Sequence, residues 1–178
     1  MARITTPTRD QAPASTHATL DAIGSQVGFI PNMFRMLASS PDTFAGIIGF
    51  QGAMSKSLNV KTRDAIALAV TQVNDCHYCM KAHTYIATNL VKSSAEEIAL
   101  NRQGRSEDPK RAAAATFAKN LVERRGKVTD QELAAVRAGG YTDPEIIDIT
   151  ALAVQFLLTN FMNNMADSDI DFPSVTAA

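Results

Sequence analysis

The sequence predicts an all-α protein, and three observations carry that prediction. The apolar runs are rich in alanine and too long for strands, which usually span about five or six residues. Helix-opening signatures recur, at Ser40-Pro41, at Ser93 with Glu96, and at Thr142-Asp143-Pro144-Glu145. Glycines and polar clusters then fall where short helices would end, as at Gly28 and Gly139-Gly140.

The elements follow in order. Residues 1–14 mix Thr, Pro, Arg and Asp without periodicity and are expected to form an extended arm before one helical domain over 15–178. From about Ser15, Leu20, Ile23 and Val27 share one face, and Gly28 stops that helix. Pro31 opens a short helix carrying Met33, Phe34, Met36 and Leu37, and Ser40-Pro41 starts another that can bury Phe44, Ile47, Ile48 and Met54. A break near Ser57–Val60 precedes a helix over Lys61–Val73. Beyond the cysteines, Ser93 and Glu96 have capping-box spacing, and Asn101–Pro109 is polar and loop-like. Lys110–Arg125 is alanine-rich, with Phe117 and Leu121 one turn apart. Thr129–Ala138 is a further short helix, and Thr142 opens the long apolar run from Ile146 to Phe161. The tail from Asp167 is acidic, then Pro- and Ser-containing, and is expected to be peripheral.

Composition narrows the function classes. The chain is 46% hydrophobic and 20% charged, with a net charge of −1, which is ordinary for a globular protein and gives no reason to expect nucleic acid or an anionic membrane as partner. It lacks an uninterrupted apolar run of the roughly 18 residues a membrane span requires. Met1–Gln11 is polar without an apolar signal core, so the expected localisation is cytoplasmic. In that reducing compartment, two cysteines placed close together point to redox chemistry or metal rather than to a structural staple.

Those cysteines lie in Asn74-Asp75-Cys76-His77-Tyr78-Cys79-Met80-Lys81-Ala82-His83. On a helix starting near Asp75 or Cys76, the residues Cys76, Cys79 and His83 fall within roughly 60° of one another. The two Cα atoms would then stand about 5 Å apart, inside the range for a reversible disulfide. A helix N-terminus favours thiolate, with Asp75 as the expected N-cap, and His83 can take the thiol proton or stabilise the thiolate as imidazolium. Three readings remain open on the residues alone: a peroxidase or disulfide reductase, a metal site lacking a clear fourth ligand, and a packed pair of thiols with a satisfied histidine. Haem attachment is excluded, because Met80 stands where a histidine would follow the second cysteine. Which thiol attacks first is divided: His83 favours Cys79, and the helix terminus favours Cys76.

A faint internal echo accompanies this segment. Asp64-Ala-Ile-Ala67-Leu-Ala-Val70 resembles Asp148-Ile-Thr-Ala151-Leu-Ala-Val154, and in that register Asn160 and Asn163 fall where Cys76 and Cys79 lie. An Ala- and Leu-rich composition alone could produce such a match.

The stretch from Lys61-Thr-Arg-Asp64 through Cys76-His-Tyr-Cys79 to His83 resembles the AhpD-like alkylhydroperoxidases of the carboxymuconolactone decarboxylase superfamily. Gly28-Phe-Ile-Pro-Asn-Met-Phe-Arg35 and Gly140-Tyr-Thr-Asp-Pro-Glu-Ile146 are similar to its peroxidase-related branch. The resemblance implies an AhpD-like helical fold, commonly from a duplicated unit, and a homo-oligomer, often a trimer or hexamer. It implies hydroperoxide reduction through a Cys76–Cys79 disulfide recycled by an external thiol or dithiol, without cofactor or metal. The family's relay glutamate corresponds to Asp64, one methylene shorter, with a reach reduced by about 1.5 Å. Where its best-known peroxidase has histidine before the second cysteine, this chain has Tyr78, with His77 shifted by one. Two alternatives accompany this reading: a non-enzymatic redox-sensing or structural oligomer, and lactone decarboxylation, whose family members generally lack the cysteine pair. Phe44, Ile47, Phe50 and the run Ala151–Phe161 are expected to offer apolar surface to that oligomer.

Overall fold

A computed structural model describes residues 2–173, and within them the chain is all-α. The helices are α1 (His17–Val27), α2 (Asn32–Leu37), α3 (Pro41–Met54), α4 (Val60–Val73), α5 (His77–Ile86), α6 (Ala95–Arg102), α7 (Pro109–Glu123), α8 (Asp130–Ala138) and α9 (Asp143–Ala166).

Local chemistry explains most boundaries. Asn59 caps α4 by accepting from Thr62 N–H, and Asp108 caps α7 from Arg111 N–H, with Pro109 following it. Thr129 with Glu132 and Thr142 with Glu145 form complete capping boxes on α8 and α9. Gly28 ends α1 at φ 93°, a conformation that a side chain would strain. The α6 start differs from expectation by one residue. Ser94, not Ser93, is the cap and accepts from Glu97 N–H, while tertiary donors engage the Glu97 carboxylate so that no capping box closes. The arm also differs, since Arg9–Gln11 form a 3-10 turn capped by Thr8, and Ala12 is buried.

Helix α4 is the axle of the fold. From Asp64 to Thr71 every residue is buried, and α5, α6, α7 and α9 pack around it. Ala65 and Ala69 meet Ala115 of α7, so small side chains let these axes approach closely. Ile66 and Val70 face Phe117, Leu121, Val136, Ile149 and Leu152; burying each such large side chain contributes about 1.5–3 kcal/mol. A second cluster joins Leu20, Met36, Leu37, Phe44 and Ile47 to Ala166. Phe44 and Ile47 are therefore core residues of the chain itself, which corrects the expectation that they serve an oligomer. Half of the exposed large apolar residues among those described, Ile147, Val154, Phe161 and Met165, lie along α9.

By length and composition alone α9 could cross a membrane, but 44% of its apolar window is buried inside the molecule. Its buried face also carries Gln155, Thr159, Asn160 and Asn163, three of which bond α4, α5 or each other.

Candidate active site

Between α4 and α5 the backbone turns sharply through Asp75, whose φ is 50°. That turn makes Cys76, rather than Asp75, the N-cap of α5. Its Sγ accepts from Cys79 N–H at 3.3 Å, in the place where serine or aspartate usually serves. Cap geometry thus brings the two thiols together, although only Cys79 lies inside the helix. Both are reduced and buried.

The pair divides its protons unevenly. The Cys79 side chain and N–H donate to Cys76 and hold its thiol below the ordinary value, with Asp75 opposing them. The Cys79 thiol is pushed up, first by its hydrogen bond to Cys76 and then by burial, while Asn160 and Asn163 restrain the rise. Geometrically the roles reverse: Cys79, not Cys76, lines a cavity of about 250 Å³. Met33, Phe34, Ile86, Phe156 and Phe172 make its walls apolar, and His83, Gln51 and Gln155 contribute the polar groups.

His83 packs edge-on against Phe156 at 5.2 Å between ring centres. Burial pulls its pKa down to about 4, so near neutrality it is a neutral imidazole; the expected imidazolium is not favoured here. Asp64 is 6% exposed, its Oδ2 has no hydrogen-bond partner, and burial raises its pKa to about 7. Among the described residues no hydrogen bond joins Asp64 to His83. The structure therefore sets Cys76 at the cap of α5 beside Cys79, brings Cys79 and His83 to the cavity, and gives Asp64 on α4 no hydrogen bond to any of them. His77 is exposed, whereas Tyr78 is buried.

The tail is not peripheral, as the sequence had implied, but covers this site. Tyr78 Oη donates to Asp171 Oδ1 at 3.0 Å, and Asp171 Oδ2 accepts from Asn32 N–H at 2.6 Å. Phe172 then packs edge-on against Phe29 and Tyr78, at 5.3 and 5.7 Å, and forms part of the cavity wall. No local sequence signal marks Phe172, because its contacts lie far away along the chain. Asn163 had a faint signal in the echo, and its Nδ2 lies 3.4 Å from Cys79 Sγ. The tail beyond residue 173 lies outside the described residues.

The α-helical body, with a cysteine pair at a helix cap and an apolar cavity beside Cys79, has AhpD-like architecture. Residues 41–120 match the model of the carboxymuconolactone decarboxylase family. The AhpD-core, peroxidase-related protein from Ralstonia eutropha JMP134 is similar over 96% of this chain and 92% of its own, with 27% identity and a TM-score of 0.84. A peroxidase-related protein from Silicibacter sp. TM1040 shares the fold at 18% identity and TM-score 0.82, covering 94% of this chain and 91% of that one. The debrominase Bmp8, solved in complex with 2,3,4-tribromopyrrole, does so at 20% identity and TM-score 0.80, with coverage of 94% and 91%. No curated protein matches the sequence.

Proposed function

We propose that this protein is a thiol-dependent peroxidase that reduces organic hydroperoxides through a reversible Cys76–Cys79 disulfide. The observation carrying this reading is that Cys79 faces the apolar cavity while its backbone N–H bonds Cys76 Sγ at 3.3 Å. Cys79 gives its proton to Cys76 or to neutral His83, and the thiolate attacks the terminal oxygen of R–O–O–H. The O–O bond breaks, Cys79 becomes a sulfenic acid, and the departing alkoxide takes a proton to become R–OH. Cys76 then attacks Cys79, forming the disulfide and releasing water. An external dithiol is oxidised in reducing the pair again. Asp64 is the second proton holder of the relay, reached from His83 through water.

Steady-state peroxide consumption with a dithiol donor tests this. Wild type should turn over, and both Cys76→Ser and Cys79→Ser should lose multiple turnover. Cys76→Ser should still form one equivalent of sulfenic acid, at Cys79. Absence of turnover by wild type would leave the redox-sensor reading standing. The aromatic walls at Phe34, Phe156 and Phe172 also suit a flat apolar ring, so a bromopyrrole belongs in the same assay. There the dithiol would supply two electrons, replacing C–Br by C–H and releasing bromide. Ile147, Val154 and Phe161, at heptad spacing on α9, are the face we assign to self-association, which light scattering would report.

A further inference from the structure

Cys79 needs a charge partner when it ionises, and the obvious ones are absent from its surroundings. His83 is held neutral, and the first N–H groups of α5 are directed at Cys76, including that of Cys79 itself. Cys76, Tyr78 and His83 on α5, Asp75 before it and Asp171 on the tail are the titratable groups facing the pair, and none is a cation at neutral pH; His77 and Lys81, also on α5, are exposed and make no hydrogen bond to either sulfur. From α9, the surrounding groups are Gln155, Phe156, Thr159, Asn160 and Asn163, all uncharged.

We propose that Asn163 is a catalytic residue whose Nδ2 carries the anionic form of Cys79 and whose Oδ1 accepts from the sulfenic acid that follows. This rests on Cys79 being the reacting thiol. The orientation of the amide is fixed independently of the sulfur, because Nδ2 donates to Thr159 O at 2.9 Å. Turning the amide over would set Oδ1 against that carbonyl. The second Nδ2 proton is thereby directed at Cys79 Sγ, 3.4 Å away. Such a bond strengthens when its acceptor ionises, roughly doubling, so it favours thiolate over thiol.

The other end of the amide is equally informative. Asn163 is 2% exposed, and its Oδ1 is buried without a hydrogen-bond partner. A buried acceptor left bare is costly in the resting protein, at about 1–3 kcal/mol. Oxidation of Cys79 to Cys79–S–O–H adds, on the sulfur that Asn163 already touches, the O–H donor that reduced Cys79 lacks. Asparagine supplies donor and acceptor together. The internal echo gains a physical meaning here, since the position matched to Cys79 in the second copy is the one that touches it.

The test uses alkylation, which needs no peroxide. In a Cys76→Ser background, where serine retains the cap, the rate of iodoacetamide reaction is followed against pH for Asn163, Asn163→Ala and Asn163→Asp. Asn163→Ala should raise the Cys79 pKa by about one unit, an approximately tenfold slower reaction at pH 7. Asn163→Asp, of the same shape, replaces the donor with an acceptor and should raise it further. Dimedone trapping after one equivalent of hydroperoxide should show a shorter-lived sulfenic acid in Asn163→Ala. An unchanged thiol pKa in either folded variant, with only the melting temperature lowered, overturns the proposal. If the pKa moves while wild type reduces no peroxide, the thiolate role stands and the peroxidase reading falls.

Discussion

Two buried carboxylates, Asp64 on the central helix and Glu97 on α6 packed against it, are housed in opposite ways. Glu97 of α6 is 5% exposed, and it accepts from Ser106 Oγ at 2.5 Å, Arg111 Nη1 at 2.7 Å and Glu107 N–H at 2.9 Å. Burial pushes its pKa up, but these donors outweigh it and keep Glu97 below the usual carboxylate range. The bonds clamp the connection between α6 and α7. Asp64 is similarly buried yet has a bare Oδ2, and burial alone raises its pKa. The contrast separates a carboxylate that holds the fold from one that the fold tolerates. A carboxyl that burial brings to a pKa of about 7 can hold or release a proton near neutrality.

The largest expected effect tests the clamp. Glu97→Ala leaves Arg111 largely buried without its counter-ion and should cost about 3 kcal/mol in urea unfolding. Adding Arg111→Ala should recover part of that loss. A cost below about 1 kcal/mol would erase the distinction between the two carboxylates.

Asp64→Asn should act in the other direction. A carboxyl whose folded pKa is raised from 3.8 to about 7 contributes stability that is complete below 3.8 and lost as pH rises through 7. Above pH 7 the wild type holds an unpaired buried charge, so Asp64→Asn should be more stable there by about 1–3 kcal/mol, and turnover should nonetheless fall. Equal or lower stability at pH 8 would mean that Asp64 has a partner in solution.

The smallest effect is a cancellation. His83, lowered from 6.5 to about 4, contributes stability complete above 6.5 and lost as pH falls through 4. Between pH 4 and 6.5 the two groups oppose each other, each with a slope of at most about 1.4 kcal/mol per pH unit. Their combined contribution is nearly flat in wild type. Urea midpoints across that window should stay level for wild type and fall on acidification for Asp64→Asn.

Local rules made the helices legible. The Thr142 and Thr129 boxes and the Gly28 stop depend on neighbours in sequence, and the structure repeats them. The one-residue shift from Ser93 to Ser94 leaves Glu97 at the boxed position with its carboxylate turned to tertiary donors, which no local rule reveals. At the site, the i,i+3 spacing of Cys76 and Cys79 was visible in the sequence. The positive φ of Asp75, which hands the cap to sulfur, had no such signature. Nor did Phe172, since an isolated aromatic in a polar tail carries no periodicity. Of the two states the sequence allowed for His83, burial favours the neutral one, and that burial involves Phe156 from another helix.

The roof of the cavity also sets an order of events at birth. The hydrogen bond that fastens the tail joins Tyr78 to a residue 93 positions later in the chain. At a ribosomal pace of about 5–20 residues per second, the thiols are synthesised roughly 5–20 seconds before Asp171 and Phe172 can close over them. During that interval the nascent chain presents Cys79 to any oxidant, large or small. Enclosure of Cys79 is therefore a property acquired late in synthesis, and a slowed ribosome would lengthen the period before the tail can close over it.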